Sequence, residues 1–548
     1  MERFRKGILW KVGLGLLLVL LIGPLEQADS QVLRYACSFS DSKSLDPHRA
    51  VGAPDRIICE QLFNGLVRYK PGNSTAGAIE PELAKSIPIP ETLANGSQQW
   101  IFQLREGVMF HPYDGKPGYE LTSEDVVYSL RRAANSDKSA FSADYLAMAF
   151  EAVDKYTVKI TLKKPISPFL LLPKLANRQG GLIVSKKALV EKGDEWFKNH
   201  PVGAGPFMFS SYKPMEKVVI VRNPNYYRGA PRLERYELFY VPNLSSRELA
   251  LQKGEIDAIE GVREYAWYKK LSKFPNLAVD IVGTDETFVV HFNMSVKPLN
   301  LLKVRQAIAY ALSRKEFLSY YGEEVSEPIY SAVHSRLMVG GLTREEVEKE
   351  NLLFDCNVTK AKELLVESGY PNGFSLSVFT SELDEYRRQY ELIQAQLRKV
   401  GINLNLSVVD HSTFHTRIRQ NLNPIVVYSC SRPSPDMILT HFYHSASIVA
   451  TGEKPITNFS HIGALDSDGD GVVDSIDDLI LAARWETDPR KQVELWKEAQ
   501  KKILKWMVAY PIFSAGTLFA RKSYVDWGYE KIAVNDGLKA SEKTQLKR

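Results

Sequence analysis

The chain has 548 residues, of which 44% are hydrophobic and 25% charged, and its formal net charge is only +5 at pH 7. This length exceeds what one hydrophobic core normally serves, so we expect at least two lobes. Basic and acidic residues are nearly balanced and are spread along the chain, a pattern that argues against nucleic acid as a partner.

The first thirty residues form a basic start followed by a short apolar run. The strongly apolar part, Val12–Ile22, is much shorter than the roughly 20 residues that a membrane-spanning helix needs. Ala28 and Ser30 place small residues before a cut at Gln31. The pattern predicts a signal peptide over residues 1–30 and export to the periplasm or another extracytoplasmic space. An uncleaved membrane anchor is the alternative.

The chain contains four cysteines, too few and too scattered for a disulfide scaffold or a zinc site; they are Cys37, Cys59, Cys356 and Cys430. An oxidising compartment permits a bridge between Cys37 and Cys59, which are the closest in sequence. Buried free thiols are the alternative.

Strand and helix patterns alternate through the first half. Thr122 and Asp125 form a capping pair for a helix that runs to Ala134. The stretch Tyr156–Leu162 alternates apolar and polar residues, with the period of a half-buried strand. An amphipathic helix follows later, and its pattern places Arg305 on the solvated side.

The second half shows the same alternation. Ser381 and Asp384 form a capping pair for a helix that Gly401 closes, and an alternating strand follows over Ile402–Val408. Asp488 precedes a proline and caps the helix after it. Alternation in both halves predicts two α/β lobes joined by short crossovers, an arrangement that suits hinge closure on a ligand.

Several longer stretches occur in an order typical of one family. They are LDPH at 45–48, EQLFNGL at 60–66, WIFQLREGVMFH at 100–111, LTSEDVVYSL at 121–130, VGAGPFMF at 202–209, NPNYYRGAPRLERYE at 223–237, ALQKGEIDAI at 250–259, FNMSVKPLNLLKVRQAIAYALSRKEF at 292–317 and AKELLVESGYPNGF at 361–374. Together they resemble the extracellular solute-binding proteins of family 5, the oligopeptide- and dipeptide-binding class of ABC importers.

The resemblance implies a two-lobed α/β clamshell of the periplasmic-binding-protein type, with an extra subdomain on lobe I. It places lobe I at 31–288 with the subdomain at about 65–199, lobe II at 289–511, and a return to lobe I over 512–548. It also implies a monomer that captures a peptide-like or other small organic solute and that docks to a membrane ABC permease. Arg432, described below, suggests that the solute is anionic.

The sequence contains none of the common catalytic motifs that we looked for. The sequence has no G-x-S-x-G, H-E-x-x-H or Walker-type loop, so we expect a binding protein and no enzyme. A secreted calcium-dependent hydrolase is the alternative.

The stretch YSCSRPSPD at 428–436 is the expected ligand contact. In peptide-binding members of the family, an aspartate just past this strand pairs with the ligand's α-amine. Here Arg432 stands at the best-matching position, after Cys430 and Ser431, although a one-residue ambiguity leaves Asp436 as a later acidic position. A guanidinium in the cleft prefers a carboxylate or phosphate. An Arg432 that folds back onto a neighbouring carboxylate is the alternative.

The segment 466–477, DSDGDGVVDSID, has the spacing of an EF-hand-like calcium loop. Aspartates occupy positions 1, 3, 5, 9 and 12, a glycine occupies position 6, and position 7 offers a backbone carbonyl; the predicted ligands are Asp466, Asp468, Asp470, Val472, Asp474 and Asp477. We expect calcium to have a structural role there, away from the ligand. A solvated acidic insertion is the alternative.

Two pairs of histidines have spacings that permit a metal pair. His411 and His415 are four residues apart, and His441 and His444 are three apart. Neither pair has the glutamate of a zinc protease motif, so polar surface histidines are the favoured interpretation.

Overall fold

The computed structural model describes residues 31–548 except 177–178, 284–285, 431, 433, 450–456 and 535. The predicted signal peptide over 1–30 and Ser431 therefore lie outside the described residues. Within the part that is described, no helix is long and apolar enough to span a membrane.

The first half of the chain contains twelve of the described strands and seven helices. The strands are β1 Val32–Cys37, β2 Val67–Tyr69, β3 Ile79–Pro81, β4 Glu91–Thr92, β5 Gln98–Gln103, β6 Met148–Asp154, β7 Thr157–Leu162, β8 Phe207–Lys213, β9 Lys217–Arg222, β10 Arg235–Tyr240, β11 Ala258–Glu260 and β12 Leu277–Val282. The helices are α1 Ala53–Leu62, α2 Ser123–Ala133, α3 Pro168–Leu175, α4 Lys186–Lys192, α5 Asp194–Phe197, α6 Leu244–Lys253 and α7 Tyr265–Leu271.

The second half continues the alternation of strands and helices. Its strands are β13 Thr287–Phe292, β14 Ser326–Pro328, β15 Phe374–Ser381, β16 Ile402–Val409, β17 Ile425–Cys430, β18 Ala509–Ala515, β19 Thr517–Lys522, β20 Val525–Asp526 and β21 Gln545–Leu546. Its helices are α8 Leu302–Ala311, α9 Arg314–Tyr321, α10 Arg344–Lys349, α11 Val358–Glu367, α12 Asp384–Arg398, α13 His411–Arg419, α14 Pro435–Tyr443, α15 Asp477–Trp485 and α16 Pro489–Lys505.

Lobe I is built around a seven-stranded sheet in the order β12-β19-β11-β1-β10-β9-β8. The central strand β1 runs parallel to β10 and β11, and the outer pairs are antiparallel. The strand β19 comes from the end of the chain and lies between β12 and β11. Both ends of the chain therefore contribute to this lobe, and Tyr35 packs with Trp527 in its core.

A second, smaller core lies between β2 and β8 in sequence. It is formed by the sheet β4-β5-β7-β6 with α2 and α3, and Trp100, Phe102 and Ile160 are fully buried in it. The predicted capping pair of α2 is confirmed, since the Thr122 amide donates to Asp125 Oδ2 at 3.1 Å. This unit lies within the range 65–199 in which the resemblance leads us to expect a subdomain.

Lobe II contains the sheet β14-β18-β13-β17 and the parallel pair β15-β16. All six residues of β13 are buried, because helices and loops of this lobe cover both of its faces. Helix α8 is also buried, and the expectation that Arg305 faces solvent is wrong, since it is 0% exposed. Its guanidinium satisfies backbone carbonyls, donating to Leu299 O at 2.8 Å and to Trp506 O at 2.7 Å.

The chain crosses between the lobes twice, at neighbouring points. It changes sheet between Val282 and Thr287, and again between Ala515 and Thr517. The return lies a few residues later than the expected position at 511, because β18 still pairs with β13 as far as Ser514. Two short adjacent crossovers form a compact hinge.

Most of the predicted helix ends in the second half agree with the structure. Gly401 closes α12 with φ of 87°, and the Asp488 side chain accepts from the Arg490 amide at 2.9 Å. The capping pair of Ser381 and Asp384 is wrong, because Ser381 ends strand β15, where it pairs with β16, and α12 begins at Asp384.

The structure decides between a disulfide bridge and free thiols for Cys37 and Cys59. Cys37 and Cys59 are buried free thiols, so the bridge between them is wrong. Each sulfur instead donates to a backbone carbonyl, that of Phe239 for Cys37 and that of Leu45 for Cys59. Burial raises the pKa of the Cys37 thiol to about 12, so it stays protonated and unreactive at neutral pH.

Candidate ligand-binding cleft

A cavity of about 1810 Å³ lies between the lobes. Its walls come from lobe I, the subdomain, both crossovers and lobe II; among the lining residues are Phe39, Arg56 and Tyr69, then Lys164, Phe169 and Lys174, then Glu286 and Thr517, and finally Phe288, Tyr321, Asp436 and Trp485. Small-molecule sites usually measure about 300–1,000 Å³. The cleft therefore has room for a solute together with water that closure would expel.

Charges of both signs line the cavity in nearly equal number. The basic side chains are Arg56, Lys163, Lys164, Lys174, Arg263, Lys269, Arg388 and Arg484, and the acidic ones are Asp144, Glu260, Glu264, Glu286, Asp384, Asp436 and Asp536. Several are paired with each other, as in Arg56 with Asp536 and Arg263 with Glu286. The cleft is therefore polar but close to neutral overall, and it does not favour a ligand of high charge of either sign.

The ion pair of Asp436 and Arg484 is fixed in the lobe II wall. Asp436 lies in the first turn of α14, and Arg484 near the end of α15 donates from Nε to its Oδ1 at 3.1 Å. Arg484 also donates from Nη2 to Thr440 Oγ1 at 2.6 Å. Burial raises the pKa of Asp436, and the Arg484 guanidinium opposes that shift. The pair presents a carboxylate and a guanidinium side by side to the cavity.

Trp485, the last residue of α15, faces the cleft with 45% of its surface exposed. The Lys164 ammonium of the subdomain lies 5.0 Å from the centroid of its ring, a cation–π contact between the lobes. Close by, Ser167 Oγ donates to Gln492 Oε1 at 2.5 Å, and both residues are fully buried. The subdomain and lobe II therefore meet along this side of the cleft.

The residues predicted from sequence as ligand contacts are only partly described. Cys430 ends β17 opposite Thr287, and Ser431 lies outside the described residues. Arg432 donates from Nε to His441 Nδ1 at 3.1 Å, and its guanidinium carbon lies 5.7 Å from the centroid of the Phe442 ring. Among the described residues, the cavity lining does not include Arg432. Its role as a ligand contact stays a prediction.

Sequence reasoning missed Arg484 and Trp485. They stand at the end of a helix whose pattern marks it only as amphipathic, and nothing local shows that this end reaches the other lobe. Asp436, the later acidic position of the stretch 428–436, does line the cavity.

The acidic loop 466–477 brings three of its predicted ligands together. Carboxylate oxygens of Asp466, Asp468 and Asp470 lie within 4.8 Å of one another. Asp466 organises the loop by accepting from the amides of Gly469 at 2.7 Å and Gly471 at 2.8 Å. One oxygen of Asp468 is buried without a hydrogen-bond partner among the described residues. A set of carboxylate oxygens around a turn suits calcium.

The other predicted ligands are engaged elsewhere. Asp474 accepts from the Ser467 amide at 2.8 Å, and Asp477 accepts from the Ser445 amide at 3.0 Å. Val472 keeps a place in the loop, since its amide, which is distinct from the predicted carbonyl ligand, donates to Asp470 at 2.8 Å. As the sequence suggests, no helix enters the loop within the described residues 457–465. The loop leads directly into α15, so it is joined to the helix that carries Arg484 and Trp485.

The two histidine pairs differ in geometry. His411 and His415 turn their rings toward each other, with 3.1 Å between their Nε2 atoms. His441 is turned toward Arg432, and His444 Nδ1 accepts from the Ala446 amide at 3.1 Å. Of these two pairs, only His411 and His415 bring their ring nitrogens together.

Comparison with known proteins decides the family. The family model described as "Bacterial extracellular solute-binding proteins, family 5 Middle" matches residues 78–448 of this chain. The chain belongs to this family. It is therefore the substrate-binding component of an ABC importer and not an enzyme, and the alternative of a secreted hydrolase is wrong.

Individual known proteins match over most of the chain. MoaA from A. tumefacien R10, solved with mannopinic acid, is 36% identical with a TM-score of 0.70, and the match covers 95% of this chain and 100% of that chain. Heme-binding protein A of Haemophilus influenzae is 27% identical, covering 80% of this chain and 79% of the relative. Di/tripeptide-binding protein 2 of Pseudomonas aeruginosa is 26% identical, covering 87% and 89%. The predicted two-lobed α/β fold is confirmed.

Proposed function

We propose that this family 5 protein captures a small organic acid that also carries an amine, a class that includes short peptides and acidic conjugates such as mannopinic acid. The observation that carries the proposal is the nearly equal number of basic and acidic side chains around the cleft. A ligand with both charges finds partners in such a lining without leaving an excess charge buried. The relatives that bind mannopinic acid and di- or tripeptides support this class.

Three lysines of the lining are suited to receive the ligand's carboxylate. Within the described residues, Lys163, Lys164 and Lys269 form no ion pair, whereas Arg484 is already bonded to Asp436. Lysine ammonium groups on flexible stems can turn to a carboxylate that enters the cleft. Closure about the two crossovers would then narrow the cleft around the ligand, with Lys164 of the subdomain and the ring of Trp485 already in contact on one side of it.

The proposal is tested by titrating the mature chain with dipeptides, tripeptides, mannopinic acid and heme, following tryptophan fluorescence and heat. We expect binding of compounds with both an amine and a carboxylate, and loss of most of the fluorescence change in Trp485→Phe. The matched control is Trp196→Phe, because Trp196 lies outside the cavity lining and packs on His200 of lobe I. Binding of heme alone, or of neutral solutes as tightly as charged ones, would contradict the proposal.

Export and assembly form part of the same proposal. The segment 1–30 has the pattern of a cleaved signal peptide, and family 5 members are periplasmic or extracellular, which supports delivery of this protein across the membrane. We expect it to act as a monomer that presents its closed cleft to the permease. Sizing of the exported protein and mass spectrometry of its first residue test both points.

We also propose that the loop 466–477 binds one calcium ion. Asp466, Asp468 and Asp470 supply oxygens that already face one another, and Gly471 permits the turn with φ of 88°. Calcium would neutralise part of the repulsion among these carboxylates and hold the start of α15.

A further inference from the structure

The convergent histidine pair lies at the start of α13, one layer behind the lobe II wall of the cleft. A spacing of four residues puts His411 and His415 on one face of the helix. Tyr386 of α12 packs against both rings, at centroid distances of 5.4 and 6.0 Å. The same helix contributes Asp384 and Arg388 to the cavity lining. The pair therefore adjoins the ligand site without being part of it.

The distance between the two rings suits a shared metal ion. Imidazole nitrogens bind zinc at about 2.0–2.1 Å, so two of them on one ion are about 2.9 Å apart at a right angle and about 3.4 Å apart at the tetrahedral angle. The observed Nε2–Nε2 distance of 3.1 Å lies between these values. The same distance also fits a hydrogen bond between two neutral rings, which is the competing interpretation.

The far nitrogen of His411 is held as it is in metal sites. Ser381 Oγ lies 3.1 Å from His411 Nδ1 and donates to Glu382 Oε2 at 3.5 Å. When His411 Nδ1 carries the ring proton and donates it to the serine, the lone pair of His411 is on Nε2, the nitrogen that faces His415. An outer partner that fixes the tautomer in this way is typical of metal-binding histidines.

The surroundings of the pair disfavour weakly bound cations. Arg419 is anchored to the His415 carbonyl at 3.0 Å and to the Tyr428 hydroxyl at 3.3 Å. Its charge opposes a second cation, and only ions with a strong preference for imidazole overcome it.

We propose that His411 and His415 together bind one divalent transition-metal ion of the class that prefers imidazole, namely Cu²⁺, Ni²⁺ or Zn²⁺. Water completes the coordination, since both rings are only half-buried. Calcium and magnesium prefer oxygen ligands and belong to other sites. The order of affinity is Cu²⁺ first, then Ni²⁺ and Zn²⁺.

The test uses the mature chain, stripped of metal by chelator and titrated with Cu²⁺ and Ni²⁺ in excess calcium, which occupies oxygen-rich sites. We expect one ion per chain, with visible absorption of Cu²⁺ shifted as imidazole nitrogens require. His411→Ala and His415→Ala should each weaken binding by at least about tenfold, the lower bound even for outer-shell partners of metal ligands. Ser412→Ala on the same helix and His441→Ala in the other pair are the matched controls.

Folding of the variants is checked by circular dichroism and thermal unfolding without metal, and His415→Gln replaces any variant that fails. Copper absorption without nitrogen ligation would overturn the proposal, whatever the affinity. So would the absence of binding, or binding that survives both alanine substitutions in folded protein. The ring-to-ring contact would then be a hydrogen bond only.

Discussion

Calcium binding to the loop 466–477 should be weak, and Asp466→Ala combined with Asp470→Ala should abolish it. Three carboxylates converge in the structure, whereas Asp474 and Asp477 are bonded to other groups and no helix enters the loop. Incomplete loops of this kind belong to the weak extracellular range, on the order of 10⁻⁴ M. At a calcium concentration about ten times higher, linkage gives roughly 1.4 kcal/mol of stabilisation.

The corresponding shift in melting temperature depends on how much of the chain unfolds together. If lobe II unfolds as a unit of roughly 230 residues, its unfolding entropy of about 0.5 kcal/mol/K turns 1.4 kcal/mol into about 3 °C. If the whole mature chain unfolds at once, the shift falls to about 1 °C. Scanning calorimetry with and without calcium measures this shift, and titration calorimetry measures the stoichiometry.

The matched control is Asp478→Ala, an exposed residue one position beyond the loop in the first turn of α15. It should retain one calcium per chain and the full shift, even if the helix loses some stability. Absence of calcium heat at several times the expected dissociation constant would refute the reasoning, as would a shift that persists in the double variant. Neither result would affect the assignment to family 5.

Three further predictions concern topology, ligand recognition and pH. A fragment of residues 31–288 should not unfold cooperatively in urea, because it lacks β19, which joins β12 to β11 in its sheet. If Arg432 contacts the ligand, Arg432→Ala should weaken binding by roughly 2–5 kcal/mol; unchanged affinity would remove Arg432 from the site and leave the cationic contact to the lysines of the cavity lining. Burial lowers the pKa of His48 to about 4 and of His291 to about 3, so the unfolded chain takes up protons that the folded one does not as pH falls below about 6.5. Stability should therefore fall as the pH drops from about 6.5 toward 4, by on the order of 1 kcal/mol per pH unit for each of these buried histidines, and a flat urea midpoint there would contradict this.

Local patterns in the sequence predicted those helix ends that depend on interactions between neighbouring residues. The capping pair of Thr122 and Asp125 and the closing Gly401 depend on residues within one or two helical turns, and both are present. The pattern at Ser381 was equally local but wrong, because pairing between β15 and β16 extends through Ser381 and overrides the cap. At Ser381 the capping signal overlaps a strand, and the backbone pairing of that strand decides the structure.

Long-range packing accounts for what the sequence did not show. Arg305 follows the polar phase of its helix, yet its partners Trp506 and Met507 lie about two hundred residues further along the chain. Those carbonyls end α16 and need donors, and the buried guanidinium supplies them. In the same way, Arg484 and Trp485 become cleft residues only through the contact between lobe II and the subdomain.

The acidic loop 466–477 and the ligand cleft lie at opposite ends of one short helix, α15. Helix α15 has nine residues, so its ends are about 12 Å apart. Asp477 at the first end is bonded to Ser445, and Arg484 at the other is bonded to Asp436 and Thr440, so both ends are tied to α14 and the turn after it. If Asp477 keeps its bond to Ser445, calcium binds through the other aspartates and the cleft wall stays in place. If Asp477 turns to the metal, that bond breaks and α15 is freed at one end. Coupling between the proposed calcium site and the ligand site therefore depends on this one carboxylate.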